Sequence, residues 1–223
     1  MESDGQARSA WVFAQIKDMI ITGTLLPGDE LRERDIADRL GVSRVPVREA
    51  LPMLESAGLV KLSPRRSARV TEITAKDMED LFDLRSSLEP LAARLAARRV
   101  ADGADGTAVR DALDDAASAL SRGDDESFHD CSSRFHDAVE ELAANPLLDY
   151  VMSSIRERSA RLNVVNIGSH GAARHGEHAQ LAEAILSGNE RLAEAVAYTH
   201  VELGHARTAG TVADRYGSDG GGR

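Results

Sequence analysis

The chain has 223 residues and a formal net charge of -10 at pH 7, with 42% hydrophobic but only 4% aromatic residues. That length suits two modest domains, and apolar content dominated by alanine and leucine favours helix over sheet. The single cysteine, Cys131, excludes an internal disulfide framework, and no run approaches the roughly 18 apolar residues of a membrane span or the basic-then-apolar pattern of a signal segment, so a soluble cytoplasmic protein without a membrane partner is expected.

In chain order, residues 8–22 place Val12, Ile16, Met19 and Ile20 at helical spacing, and Gly23 followed by LLPGD ends the pattern. LRERDIADRLG puts Ile36 and Leu40 on one face, with Gly41 as the stop. Ser43 then serves as an N-cap, and Pro46 falls in the first turn of a third helix whose core stripe is Val47, Ala50, Leu51 and Leu54. Gly58 closes it. Pro52 lies in its interior, where a proline removes a hydrogen bond, so a bent or irregular helix is expected. LVKL and ARVTEI alternate apolar and polar residues around SPRRS, which predicts a two-stranded hairpin with a basic tip. Three helices followed by a hairpin form a winged helix-turn-helix pattern, assigned to residues 8–72.

Beyond Thr71 the strand signals stop. Thr74 with Asp77 resembles a capping box, and six or seven helices follow, punctuated by ADGADG, SRGDD, ANP, GSHG and SGN. This all-helical bundle is assigned to residues 74–208. The glycine-rich end has nothing to bury, so residues 209–223 are expected to be a disordered tail. The predicted fold class is mainly α: an N-terminal winged helix-turn-helix domain and a C-terminal all-α bundle.

Charge is unevenly placed. Residues 1–70 hold 11 Lys+Arg against 10 Asp+Glu, and the window 32–69 holds 9 against 5, whereas residues 71–223 hold 16 against 27. Arg44 and Arg48 stand in the first turns of the third helix, at the positive end of its dipole, where a cation is unfavourable unless an anion meets it. Arg34 lies at the start of the preceding helix, and Arg65 and Arg66 lie at the hairpin tip. Five arginines from three elements point to a polyanion, and a helix N-terminus presented to the major groove is the arrangement that lets arginine reach base edges.

LRERDIADRLGVSRVPVREALPMLESAGLVKLSPRRSARV resembles the DNA-binding domain of the GntR family of bacterial transcription regulators. LFDLRSSLEPLAARLAARR, RFHDAVEELAANPLL, EHAQLAEAILSGN and AYTHVEL resemble the FadR-type (FCD) effector domain. The resemblance implies that Arg34, Ser43, Arg44, Val45, Pro46 and Arg48 lie at the DNA, with the wing near Arg66 and Ser67, where the family usually has glycine. It implies a homodimer on a two-fold operator and a small carboxylate effector, with Arg85 in reach of it or else paired with Glu89 one turn on. His136, His178 and His200 fall on three predicted helices, and the resemblance implies that they bind a divalent metal. Ser132 stands at the family's usual carboxylate position, and zinc or nickel suits the imidazole ligands. Cys131 points about 100° away from Ser132 around the helix and is expected to pack rather than ligate.

The expected function is a metabolite-responsive repressor, not an enzyme. A metal-dependent hydrolase is the first alternative, but HGEH, with His175, Glu177 and His178, matches neither HExxH nor HxxEH. An architectural DNA-binding protein without effector control is the second. His170, His175 and His205 are expected to be exposed near helix ends.

Overall fold

The computed structural model describes residues 2–63, 67–72, 74–163 and 170–216. The chain divides into two compact units, Met1–Thr74 and Ala75–Arg223.

In the first unit, α1 (Glu2–Ile21) begins before the predicted residue 8, because the preceding residues carry one glycine, Gly5, and no proline. It ends as expected: Gly23 takes φ 76° and the Leu25 N–H bonds the Met19 carbonyl at 2.8 Å. α2 (Glu33–Leu40) and α3 (Arg44–Ser56) are joined by a turn in which Gly41 is left-handed at φ 66°, a conformation that a Cβ would strain. Val12 and Ile16 of α1 pack against Val47, Ala50 and Leu54 of α3, all fully buried.

The sheet has three strands rather than the expected two. β1 (Glu30–Arg32), β2 (Val60–Ser63) and β3 (Ser67–Val70) lie in the order β1-β3-β2, with both pairings antiparallel. β1 escapes periodicity because its only apolar side chain, the buried Leu31, also suits the helical reading of LRERDIADRLG; α2 starts two residues later. In register, Leu31 and Leu62 both face Ala68.

α3 runs without a break through Pro52. The proline nevertheless cannot donate to the Arg48 carbonyl one turn earlier. Pro52 is exposed, so Pro52→Ala is expected to raise the stability of this unit by about 1–2 kcal/mol, restoring one bond while returning some freedom to the unfolded chain. Denaturant melts measure this, and an unchanged or lower midpoint would show that the proline is costless in this helix.

The second unit contains six helices among the described residues: α4 (Ala75–Ala101), α5 (Thr107–Ser121), α6 (Asp125–Ala143), α7 (Pro146–Asn163), α8 (Gly171–Leu186) and α9 (Glu190–Tyr216). The predicted punctuation becomes helix capping. Asp124, Asn145 and Asn189 accept from the backbone N–H groups of Ser127, Leu148 and Leu192, satisfying donors that each helix start would otherwise orphan. Ala93, Ala96 and Ala97 of α4 and Ala193 and Ala197 of α9 are each at most 1% exposed. These short side chains let the two helices, which pack along each other, approach closely. α9 continues to Tyr216, which corrects the expectation of a tail from 209: GTVADRY contains no proline, and a formed helix propagates cheaply. Residues 217–223 lie outside the described residues.

Candidate recognition face and buried histidine site

α2 and α3 bring most of the predicted contact residues of the first unit to one edge. Ser43 occupies the N-cap of α3 with extended backbone (φ -72°, ψ 164°) but makes no side-chain capping bond, and it is exposed together with Arg44 and Val45. Arg34, on α2, is exposed and lies 3.5 Å from Asp35. Pro46 is buried, so it shapes the first turn rather than presenting a surface. Arg48 is half exposed, and its guanidinium is held by Glu33: Nε donates to Oε1 and Nη2 to Oε2, each at 3.1 Å. Glu33 is buried on α2 and was missed in the sequence, where it reads only as a helix-start acid. It supplies an internal anion that offsets the dipole cost at Arg48. Ser67 opens β3 opposite Ser63 of β2. Arg65 and Arg66 lie outside the described residues.

In the second unit, α6, α8 and α9 bring together His136, His178 and His200. One ligand atom from each lies within 4.8 Å of the others, and their ring centroids are 4.9 to 5.3 Å apart. His178 is 1% exposed, is stacked on Phe135 at 4.7 Å, and has no hydrogen bond to either ring nitrogen among the described residues. Burial first, then the neighbouring imidazoles, hold His178 well below its ordinary pKa. Burial likewise pushes His136 down to about 3, against the opposing pull of Glu89. Both rings are therefore neutral at pH 7, the form that ligates a metal.

The third histidine is oriented from behind. The His200 Nδ1 lies 3.1 Å from Glu177 Oε2, and Arg207 donates to both oxygens of Glu177 at 2.5 and 2.8 Å. The tautomer that gives Nδ1–H to the carboxylate leaves Nε2 as an acceptor. This is the outer support that metal-binding histidines commonly have. Burial raises the Glu177 pKa, but the bonds from His200 and Arg207 prevail and hold it at about 2, leaving a poor general base. Arg85 bonds Glu89 at 2.6 Å, both side chains being nearly buried, so the i,i+4 pair foreseen in the sequence is present. Burial opposes ionisation of Glu89, but Arg85 and then His136 bring its pKa to about 2.

Ser132 is buried one turn before His136, and its Oγ has no partner. Cys131 is buried and accepts from Arg134 at 3.1 Å. His170 is exposed at the α8 N-cap, but His175 and His205 are half-buried, contrary to expectation. His205 stacks on Phe82 at 4.6 Å, since α9 carries it into the bundle. Glu177 and Arg207 were not singled out as site residues. Their signal is weak: Glu177 precedes His178, and Arg207 follows His200 by seven residues on the same helix face.

The donor set fits a divalent metal. Three imidazoles converge, and buried ring nitrogens without partners, as on His178, are costly unless something binds them.

Comparison with known proteins places both units. Residues 8–70 match the family model described as bacterial regulatory proteins, gntR family, and residues 80–203 match the FCD domain. The chain is 29% identical over 191 residues to the uncharacterized HTH-type transcriptional regulator YdhC of Bacillus subtilis (strain 168), covering 84% of this chain and 85% of that protein. It is 34% identical over 141 residues to the "Probable D-xylose utilization operon transcriptional repressor" of Paenarthrobacter nicotinovorans, covering 61% and 62%. A solved structure assigned as a GntR transcriptional regulator from Rhodococcus sp. RHA1 superposes with a TM-score of 0.76 at 27% identity, covering 92% of this chain and 98% of that one. E. coli McbR/YncC shares the fold, with a TM-score of 0.75 at 20% identity over 91% and 97%.

Proposed function

The chain belongs to the GntR family of bacterial regulatory proteins, with an FCD domain as its helical unit, and from that premise we propose a metabolite-responsive repressor that acts in the cytoplasm as a homodimer on a two-fold operator. The family comprises transcription regulators, not enzymes. In this reading Arg44 addresses base edges at the N-terminus of α3. Arg34, Ser43 and Val45 border it, and Arg65, Arg66 and Ser67 serve the backbone or minor groove from the wing. Arg48 reaches DNA from the position in which Glu33 holds it, and Pro46 sets the turn that presents its neighbours.

The helical unit takes a small carboxylate effector. His136, His178 and His200 would hold zinc or nickel, and either ion supplies a Lewis-acidic position for an oxyanion. The Ser132 hydroxyl is too weak a ligand to fill the remaining positions, which leaves them to water or effector. Arg85 spends Nε on Glu89 and has its Nη groups for the effector. An effector can switch the protein only by binding its DNA-competent and DNA-incompetent forms with different affinity.

The observation that carries this reading is the buried His178 ring, unbonded at both nitrogens and facing two further histidines. Elemental analysis of protein purified without chelators or a nickel column is expected to find near-stoichiometric divalent metal, lost in His178→Ala with helical content unchanged. Metal absent from both proteins would remove metal from the reading.

A further inference from the structure

Six buried side-chain nitrogen or oxygen atoms lack a hydrogen-bond partner among the described residues, and five of them lie on α6 and α8. They are His129 Nδ1, Ser132 Oγ, His175 Nδ1 and both ring nitrogens of His178. His129, Ser132 and His136 share one face of α6, and Arg174 and His178 share one face of α8 a turn apart. Arg174 lies close enough to act electrostatically on His129, His136 and His178. The unsatisfied polar groups therefore extend along the α6–α8 seam, away from the three histidines.

The charges along this seam do not balance. Arg85 is neutralised by Glu89, and Arg207 by Glu177. The half-buried Arg174 guanidinium has no hydrogen bond or ion pair with another described residue; Arg207 and Arg85 repel it, and the more weakly acting Glu177, already engaged by Arg207 and His200, attracts it. A desolvated cation without a direct ion pair is unfavourable, and it lies about one helix turn, 5–6 Å along the axis, from His178. A divalent ion on the three imidazoles would add two further positive charges that no ligating carboxylate offsets.

We propose that Arg174 anchors a second oxyanion group of the effector, so that the site selects dianionic over monoanionic carboxylates. This rests on the metal-assisted carboxylate reading above. One end of the ligand sits at the three histidines, and the other takes hydrogen bonds from the Arg174 guanidinium, with His129 and Ser132 along its length. Arg174 is a binding and specificity-determining residue, distinct from the Arg85 position at Glu89.

Two probes separate the groups. L-lactate and L-malate offer a metal the same α-hydroxycarboxylate chelate, and only malate carries a further carboxylate. Titration calorimetry of the zinc-loaded full chain is expected to show malate binding at least about tenfold more tightly than lactate, the scale of a charge-assisted hydrogen bond. Arg174→Gln should abolish that preference while leaving zinc content and lactate affinity unchanged, and Arg174→Lys, which keeps the charge, should retain part of it. Equal affinities in the native protein, or a malate preference that survives in Arg174→Gln, would overturn the assignment of Arg174 alone. Zinc that is not retained, or zinc-loaded protein that binds neither acid, would instead overturn the underlying reading and this inference with it.

Discussion

Glu177→Ala is expected to destabilise the helical unit by about 3 kcal/mol and to weaken its affinity for a divalent metal by about 10- to 100-fold. The carboxylate is 13% exposed and serves two partners, His200 and Arg207, the latter 17% exposed. Its removal withdraws a paired counter-charge from a largely buried guanidinium and frees the His200 ring to turn away from the other two. Glu177→Gln keeps an acceptor for His200 but loses the charge, and should fall between. Denaturant unfolding and competition with a metal-binding dye read the two effects separately. Native stability together with native metal affinity in Glu177→Ala would show that the carboxylate orients nothing.

Acidification of the metal-free protein should cost stability well before its carboxylates titrate. Unfolded histidine has an ordinary pKa of 6.5, whereas folded His136 lies at about 3 and His178 is also well below the ordinary value, burial being the main cause for each. As pH falls through 6.5 the unfolded chain takes up protons that the folded chain refuses, so the equilibrium shifts toward unfolding. Each histidine contributes up to about 1.4 kcal/mol per pH unit, and the pair removes about 4 kcal/mol between pH 7.5 and 5. Glu89 and Glu177, held at about 2, stay ionised when folded through this range, and their stabilisation is lost only as pH falls below their ordinary 4.5 toward 2. Unfolding free energies at pH 7.5, 6 and 5 test the slope, which His136→Gln should halve. A flat profile over that range would mean that the folded histidines accept protons freely.

The sequence carried the outline of both units because their signals are local. Gly41 and Gly58 stop helices wherever the rest of the chain goes, and the stripe Val47, Ala50, Leu51 and Leu54 has one face to bury. β1 was illegible because a three-residue strand contains too little alternation to distinguish it from the helix that follows. The histidine triad was legible only through family resemblance, since separations of 42 and 22 residues carry no geometry. Its supports were hidden for the same reason. Glu177 meets His200 and Arg207 only when α8 and α9 lie side by side, and Glu33 reaches Arg48 only across the turn between α2 and α3.

The close seam of α4 and α9 places a constraint on how this protein can vary over generations. Ala197 is 1% exposed and stands one turn before His200 on α9, with Ala93, Ala96 and Ala97 buried in the same core. An added methyl group in so closely packed a core forces its neighbours to shift, and α9 carries His200 with it. The three histidines can thus be inherited intact while their convergence is lost. Purifying selection on the helical unit should fall as heavily on these featureless alanines as on the histidines they position.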